Sequence, residues 1–135
     1  MENIVIIVVS MIAGMAAYYI SVVMGKGGVF GSAIVVLVSG LLFRYLEAEN
    51  LIAVSGLAVV ATTASYSGMV AQKNVANLKE MAMVGLITGL LFIASVNAYN
   101  GVGGKLGVMA ALSCYAWIGI KKLTSGTAKP EEPRY

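Results

Sequence analysis

Long uncharged stretches separate the few charged residues of this chain, and they constrain its fold more than any other feature. Three of them cover residues 4–24, 51–72 and 81–104, and two shorter ones cover residues 27–43 and 106–120. The hydrocarbon core of a bilayer is about 30 Å thick, so a helix needs about 20 residues to cross it. The three longer stretches meet that length, and they therefore predict transmembrane helices.

The composition also indicates lipid as the solvent, since 59% of the residues are hydrophobic and only 11% are charged, against about 25% charged in a typical soluble domain. We predict an all-α, polytopic membrane protein with five helices, the second and fifth of them short or partly re-entrant. A count of four stays open if one short stretch lies inside the protein. The predicted helices cover about residues 4–24, 28–44, 51–72, 80–99 and 104–121. They form one transmembrane domain, 1–123, and a polar tail without a core of its own follows at 124–135.

The residue types present argue against most catalytic chemistry. The chain has no histidine and one cysteine, which excludes Ser-His-Asp and Cys-His catalysis and most metal sites. No ionisable residue lies deep inside a stretch, although proton relays usually need one there. The net charge of +3 is small and scattered, so a nucleic-acid partner is not expected. We expect a protein that is not an enzyme and has no cofactor, with Na⁺ left open as a ligand of neutral oxygen atoms.

The lysine and arginine residues predict the orientation in the membrane. With five helices, one side carries only Arg44 and Lys105. The other side carries seven basic residues, which are Lys26, Lys73, Lys79, Lys121, Lys122, Lys129 and Arg134. Cytoplasmic segments carry the excess of such residues. We therefore predict a multi-pass protein of the cell membrane with its N-terminus outside and its C-terminus in the cytoplasm.

A glycine-rich segment occurs twice in the chain. Residues 25–31 recur at 101–107 with four glycines in register, and each copy follows a long apolar stretch and precedes a short one. The remaining predicted helix separates the copies, so the second copy enters the membrane from the opposite side. This is the pattern of an inverted-topology repeat, in which glycine-interrupted segments at matching positions indicate the binding site of a transporter.

The two glycine turns supply the first candidate site. A turn that opens a helix presents unpaired N–H groups and a positive dipole end, which attract an anion. The candidate substrate-binding residues here are Lys26, Gly27, Gly28, Gly103, Gly104 and Lys105. The alternative is that glycines four residues apart serve helix packing and that both lysines extend to the headgroups.

The third predicted helix supplies a second set of candidates. Ser55, Thr62 and Tyr66 fall on one helical stripe, where their oxygen atoms suit a polar solute or Na⁺. The alternative is hydrogen bonding between helices. Residues 10–14 and 85–89 carry small side chains four positions apart, and both segments predict close helix packing.

Two short segments support a family resemblance. Residues 27–34, Gly-Gly-Val-Phe-Gly-Ser-Ala-Ile, resemble a stretch in the membrane subunits of the bacterial malonate:sodium symporter family. Residues 71–75, Ala-Gln-Lys-Asn-Val, are similar to a segment of its small subunit. The resemblance implies a partner subunit, carboxylate transport and Na⁺ coupling.

Two functions follow from these observations. The first is a small carrier, or a carrier subunit, for a small solute. The glycine turns would attract an anion as this solute. Because five helices are few for a complete carrier, this function implies a homo-oligomer or a second membrane subunit in the bilayer. The alternative is a non-catalytic membrane subunit or assembly factor of a larger membrane complex, whose glycines serve only packing.

Overall fold

The computed structural model describes residues 1–51, 56–98 and 104–125, and these residues form an all-helical bundle. Five α-helices follow one another along the chain, and a π-helical segment, Tyr19–Val23, extends the first of them. The helices are α1 (Glu2–Tyr18), α2 (Gly28–Ala48), α3 (Leu57–Ser67), α4 (Leu78–Ala94) and α5 (Lys105–Thr124).

Three of the helical segments are long and apolar enough to cross a membrane. They are Glu2–Val23, which includes the π-helical turn, Gly28–Ala48 and Lys105–Thr124. Helix α4 has 17 residues and α3 only 11. The all-helical class predicted from the sequence is thereby confirmed, and the three candidate membrane-spanning helices are compatible with a membrane protein.

The helix lengths differ from the prediction in a consistent way. Helices α2 and α5 have 21 and 20 residues, which corrects the expectation of short second and fifth helices. Helix α2 continues past Arg44 to Ala48, because a charged side chain at the end of an apolar stretch does not end a helix. Conversely, Gly56 adopts φ 82° at the start of α3, inside a stretch expected to be helical throughout. Left-handed backbone of this kind interrupts a helix without any charge.

The helices alternate in direction. Along α1 and α4 the contacts run in opposite order, since Ile7 lies against Gly89 and Gly14 lies against Met81. Contacts between α4 and α5 also run in opposite order, since Glu80 lies against Lys121 and Thr88 lies against Ser113. Helix α2 is antiparallel to α3, as the contacts Gly28–Met69 and Ser32–Ser65 show. Helix α3 packs against all four other helices and is the centre of the bundle.

Two ends of the bundle are distinguished by their charges. Helices α1, α3 and α5 end where α2 and α4 begin, and we call this the lysine end. Its described lysines are Lys26, Lys73, Lys79, Lys121 and Lys122. The opposite end carries Glu2, Arg44, Glu47, Glu49 and Lys105.

Small residues allow the closest helix contacts. A Cβ atom added to Gly85 would lie 2.8 Å from the Met11 Cα, and one added to Gly31 would lie 2.6 Å from the Ala17 carbonyl oxygen. The segments 10–14 and 85–89 meet at the crossing of α1 and α4, as the packing interpretation of these small residues predicts.

Candidate functional site

The residues predicted to bind substrate lie at two separate ends of the bundle. Lys26, Gly27 and Gly28 lie at the lysine end, whereas Gly104 and Lys105 lie at the opposite end. The 20 residues of α5 span the distance between them, which is about 30 Å at 1.5 Å per residue. One small solute therefore cannot contact both turns of a single copy. The candidates Gly103 and Ser55 fall outside the described residues.

The first glycine turn is closed by hydrogen bonds to the end of α1. The N–H of Lys26 donates to the Ile20 carbonyl at 3.4 Å, and the N–H of Gly27 donates to the Ser21 carbonyl at 3.3 Å. Gly27 has φ 93°, a conformation that favours glycine. Both N–H groups thus continue the hydrogen bonding of the preceding helix, so they are not available to bind an anion.

The second glycine turn brings a lysine to a helix end. Gly104 has φ 83° and precedes α5. The Lys105 Nζ donates to the Ser95 carbonyl at 2.8 Å, directly after the last residue of α4. A cation at a helix C-terminus is favoured by the helix dipole and by the unpaired carbonyls there. Lys105 therefore stabilises the end of α4 in this arrangement.

The polar side chains of α3 divide between two faces. Thr62 is half-buried and its hydroxyl donates to the Ala58 carbonyl of the same helix, while Tyr66 is exposed. The predicted stripe of Thr62 and Tyr66 thus faces away from the centre. Thr63 and Ser67 lie on one side of this stripe and Ser65 on the other, and all three are almost fully buried.

Buried hydroxyl groups connect the helices to one another. The Ser10 hydroxyl of α1 donates to the Gly85 carbonyl of α4, and the Ser21 hydroxyl donates to the Gly68 carbonyl after α3. Two hydroxyl pairs join further helices. They are Ser32 with Ser65, at 3.1 Å between α2 and α3, and Thr88 with Ser113, at 2.8 Å between α4 and α5. Hydrogen bonding between helices, the alternative stated for the third helix, is thus made on α3 by Ser65, whereas Thr62 bonds within its own helix.

An apolar cavity of about 330 Å³ lies between α1 and α2, with Ala61 of α3 in its lining. Both helices contribute aliphatic side chains, and the Ser39 hydroxyl in the wall donates to the Val35 carbonyl. Ile12, Val38 and Leu42 are half or more exposed, so the cavity opens to the outside of the bundle. None of the described candidate residues lines this cavity. Its walls suit hydrocarbon rather than a polar solute.

Three side chains hold the backbone of the loop between α3 and α4, a contact set that sequence reasoning missed. The Tyr18 hydroxyl donates to the Val75 carbonyl at 2.5 Å, and the Lys121 Nζ donates to the Asn74 carbonyl at 3.3 Å. A Glu80 carboxylate oxygen accepts a hydrogen bond from the Ala76 N–H at 3.1 Å. The sequence indicates only one of these three side chains, because Tyr18 lies deep inside the first apolar stretch.

The same glutamate forms an ion pair just before the apolar part of α4. The Lys121 Nζ and the Glu80 Oε2 are 2.8 Å apart, and both side chains are about a quarter to a third exposed. Partial burial raises the pKa of the Glu80 carboxyl, but the Lys121 contact and the Ala76 N–H outweigh it, so that this pKa lies below its ordinary value. Glu80 therefore stays ionised at neutral pH and keeps the loop in place.

Metal-ligating residues do not gather in the described ranges, where no three His, Cys, Asp or Glu side chains lie together. The bundle instead has buried hydroxyl groups that are hydrogen-bonded between helices, an apolar cavity and a lysine-rich end. No family model, no curated protein and no solved structure significantly matches the chain. The resemblance to the malonate:sodium symporter subunits thus rests on the two quoted segments alone.

Proposed function

We propose that this protein is a five-span membrane protein that serves as one subunit of a small carrier. The alternating helix directions support five crossings, and the lysine end supports a cytoplasmic location for that end, with the N-terminus outside. Helix α3 is too short to cross a bilayer by itself. In this proposal the loop after it covers the remaining thickness, and the surrounding helices separate that loop from lipid.

One observation carries the carrier proposal. Helices α1 and α4 begin 76 residues apart and pack antiparallel against each other, although the first continues through its π-helical turn to Val23. Each is followed by a glycine with positive φ and then by a longer helix, α2 or α5. These features support an inverted repeat of α1–α2 and α4–α5, an architecture that many secondary transporters share.

The solute path in this proposal is completed by another chain. The two glycine turns lie at opposite ends of one copy, and the cavity between α1 and α2 is apolar. A second copy or a second membrane subunit supplies the missing wall. The identity of the solute as a small anion, and coupling to Na⁺, remain predictions from the sequence.

A second candidate is a non-catalytic subunit of a larger membrane complex. The buried hydroxyls of Ser10, Ser32, Thr88 and Ser113 all bond within the bundle, so they are already used for helix association. In this version the glycines serve packing and the protein transports nothing.

Cysteine accessibility tests the five-span, inverted arrangement. We expect Lys73→Cys, in a Cys114→Ala background, to react with a membrane-impermeant thiol reagent only from the cytoplasmic side. Glu49→Cys in the same background should react only from outside, because both positions are exposed but lie at opposite ends. The Cys114→Ala protein without a new cysteine is the control. Reaction of both variants from one side would exclude the arrangement.

Reconstitution separates the two functions. We expect proteoliposomes that contain the chain, as a stable homo-oligomer or with a co-purifying subunit, to take up labelled small carboxylates, with malonate included as a probe. A Na⁺ gradient is expected to increase the uptake. Protein-free liposomes and an ionophore that dissipates the gradient are the controls. A stably assembled protein that takes up none of these solutes would favour the non-transporting subunit.

A further inference from the structure

Most basic residues of the lysine end have no acidic partner. Lys121 is neutralised by Glu80, the single acidic residue of that end in the described ranges. The other four lysines are exposed and form no ion pair within those ranges. They are Lys26, Lys73, Lys79 and Lys122. In the tail 126–135, the two glutamates and the two basic side chains balance each other in number.

The opposite end has a different balance. Its three glutamates, Glu2, Glu47 and Glu49, outnumber Arg44 and Lys105, and Lys105 is already bonded to the Ser95 carbonyl. The bundle is therefore strongly polarised, with a surplus of positive charge at one end only. An anionic partner would be attracted to the lysine end alone.

Apolar side chains lie directly beside these lysines. Met24, Leu78 and Leu123 are exposed, and Leu123 is 87% exposed. Each lies within two residues of a lysine of the set. Lysine stems that lie along apolar surface while the ammonium groups reach outward are typical of the boundary between acyl chains and headgroups.

The lysines are also held in place. Lys73 belongs to the loop whose backbone is bonded by Tyr18, Glu80 and Lys121, and Lys79 and Lys122 lie beside the members of the ion pair. The ion pair thus fixes the end of α5 against the start of α4. The backbone that carries Lys73, Lys79 and Lys122 is consequently tied to the rest of the bundle at this end.

We propose that the lysine end binds the phosphate groups of anionic phospholipids in the adjacent leaflet, with Lys26, Lys73, Lys79 and Lys122 as the contacts. A basic residue near an anionic membrane surface contributes about 1 kcal/mol, which is a preference of about fivefold. This inference holds for either function proposed above, since it needs only that the lysine end meets a bilayer surface.

The single tryptophan of the chain reports on this surface. Trp117 precedes Lys121 by about one helical turn in α5 and packs against the cluster that contains Tyr18 and Val75. We would reconstitute the full chain in bilayers that mix brominated phosphatidylglycerol with unlabelled phosphatidylcholine, and in the reverse mixture. Comparing the quenching of Trp117 in the two mixtures gives the relative affinity of the two lipids.

We expect the anionic lipid to be preferred about fivefold or more at low ionic strength, and the preference to disappear at about 1 M salt. The triple variant Lys73→Gln, Lys79→Gln and Lys122→Gln should lose most of it. Lys79→Gln and Arg44→Gln form a matched pair, because each removes one exposed positive charge, and only the first should weaken the preference.

Two results would overturn the proposal. The first is equal quenching by both lipids in the unmodified protein, or a preference that neither salt nor the triple variant reduces. The second is full competition by inorganic phosphate at the same phosphate concentration, which would identify a soluble anion as the ligand. Failure of carboxylate uptake would leave the lipid result unaffected, so the two proposals fail independently.

Discussion

Replacing Gly31 with alanine is expected to be among the most destabilising single substitutions in this protein. The new Cβ would lie 2.6 Å from the Ala17 carbonyl oxygen and 3.0 Å from the Ser21 nitrogen. Both contacts are backbone atoms, so α1 and α2 would have to separate. We expect the free energy of unfolding to fall by about 3 kcal/mol. Unfolding by dodecyl sulfate in mixed micelles, followed by circular dichroism, measures this loss.

Gly107→Ala is the matched control, because Gly107 occupies the corresponding position in the second glycine segment. Among the residues that the structure describes, none has an atom within 4 Å of its added Cβ. Alanine is favoured over glycine in a helix by about 0.5–1 kcal/mol, so this variant should be as stable as the original protein or slightly more stable. Equal losses in the two variants would show that α1 and α2 do not approach each other as described.

Gly85→Ala should produce the second large effect, at the crossing of α1 and α4. Its Cβ would lie 2.8 Å from the Met11 Cα and 3.1 Å from the Ser10 carbonyl oxygen. The Ser10 hydroxyl also donates to the Gly85 carbonyl at 2.5 Å, so a wider crossing would break this hydrogen bond. We expect a loss of about 2–3 kcal/mol in the same unfolding experiment.

The control for this crossing is Gly119→Ala in α5, where the added Cβ has no neighbour within 4 Å in the described part of the chain. It changes the same residue type in a helix interior without touching another helix. If Gly85→Ala unfolded at the same dodecyl sulfate concentration as Gly119→Ala, the antiparallel contact of α1 and α4 would be disproved. The repeat proposal would lose its main support with it.

Apolar stretches predicted the helices well, but they did not predict where the helices end. The apolar stretch predicts that the second helix ends at Arg44, whereas the helix continues to Ala48. A charge marks where a chain meets water, whereas a helix ends where its backbone changes conformation. Gly56, with φ 82°, is such a change, and nothing in the hydropathy pattern distinguishes it from Gly40, which lies inside α2.

Glycine spacing predicts close packing between helices, and this prediction is right at some positions but wrong at others. Gly85 and Gly89 pack against α1 as their spacing indicates, and so does Gly31 against the end of α1. Gly107 has the same spacing, but within residues 1–51, 56–98 and 104–125 of one copy no other helix comes within 4 Å of its added Cβ. Spacing defines a face of a helix, but only the tertiary arrangement decides whether another helix covers that face.

The contacts that hold the α3–α4 loop were beyond sequence reasoning because they join distant segments. Tyr18, Glu80 and Lys121 come from three different helices, and each binds the backbone of the same loop. No local spacing relates them. The polar residues that α3 buries were also not predicted, because burial depends on which helices pack against it. Thr62 bonds to its own helix and Tyr66 is exposed, whereas Ser65 is buried and bonds to Ser32.

The shortness of the central helix has a consequence for biogenesis. At 11 residues, α3 covers only about 16 Å, roughly half the thickness of the hydrocarbon core. The backbone after it is irregular, and the buried Val75, whose carbonyl accepts a hydrogen bond from Tyr18, gives it the protein surroundings that such backbone needs below the headgroups. In the five-span arrangement proposed above, the insertion machinery would have to release this segment against the already inserted first helix, so that its integration would be cooperative rather than independent.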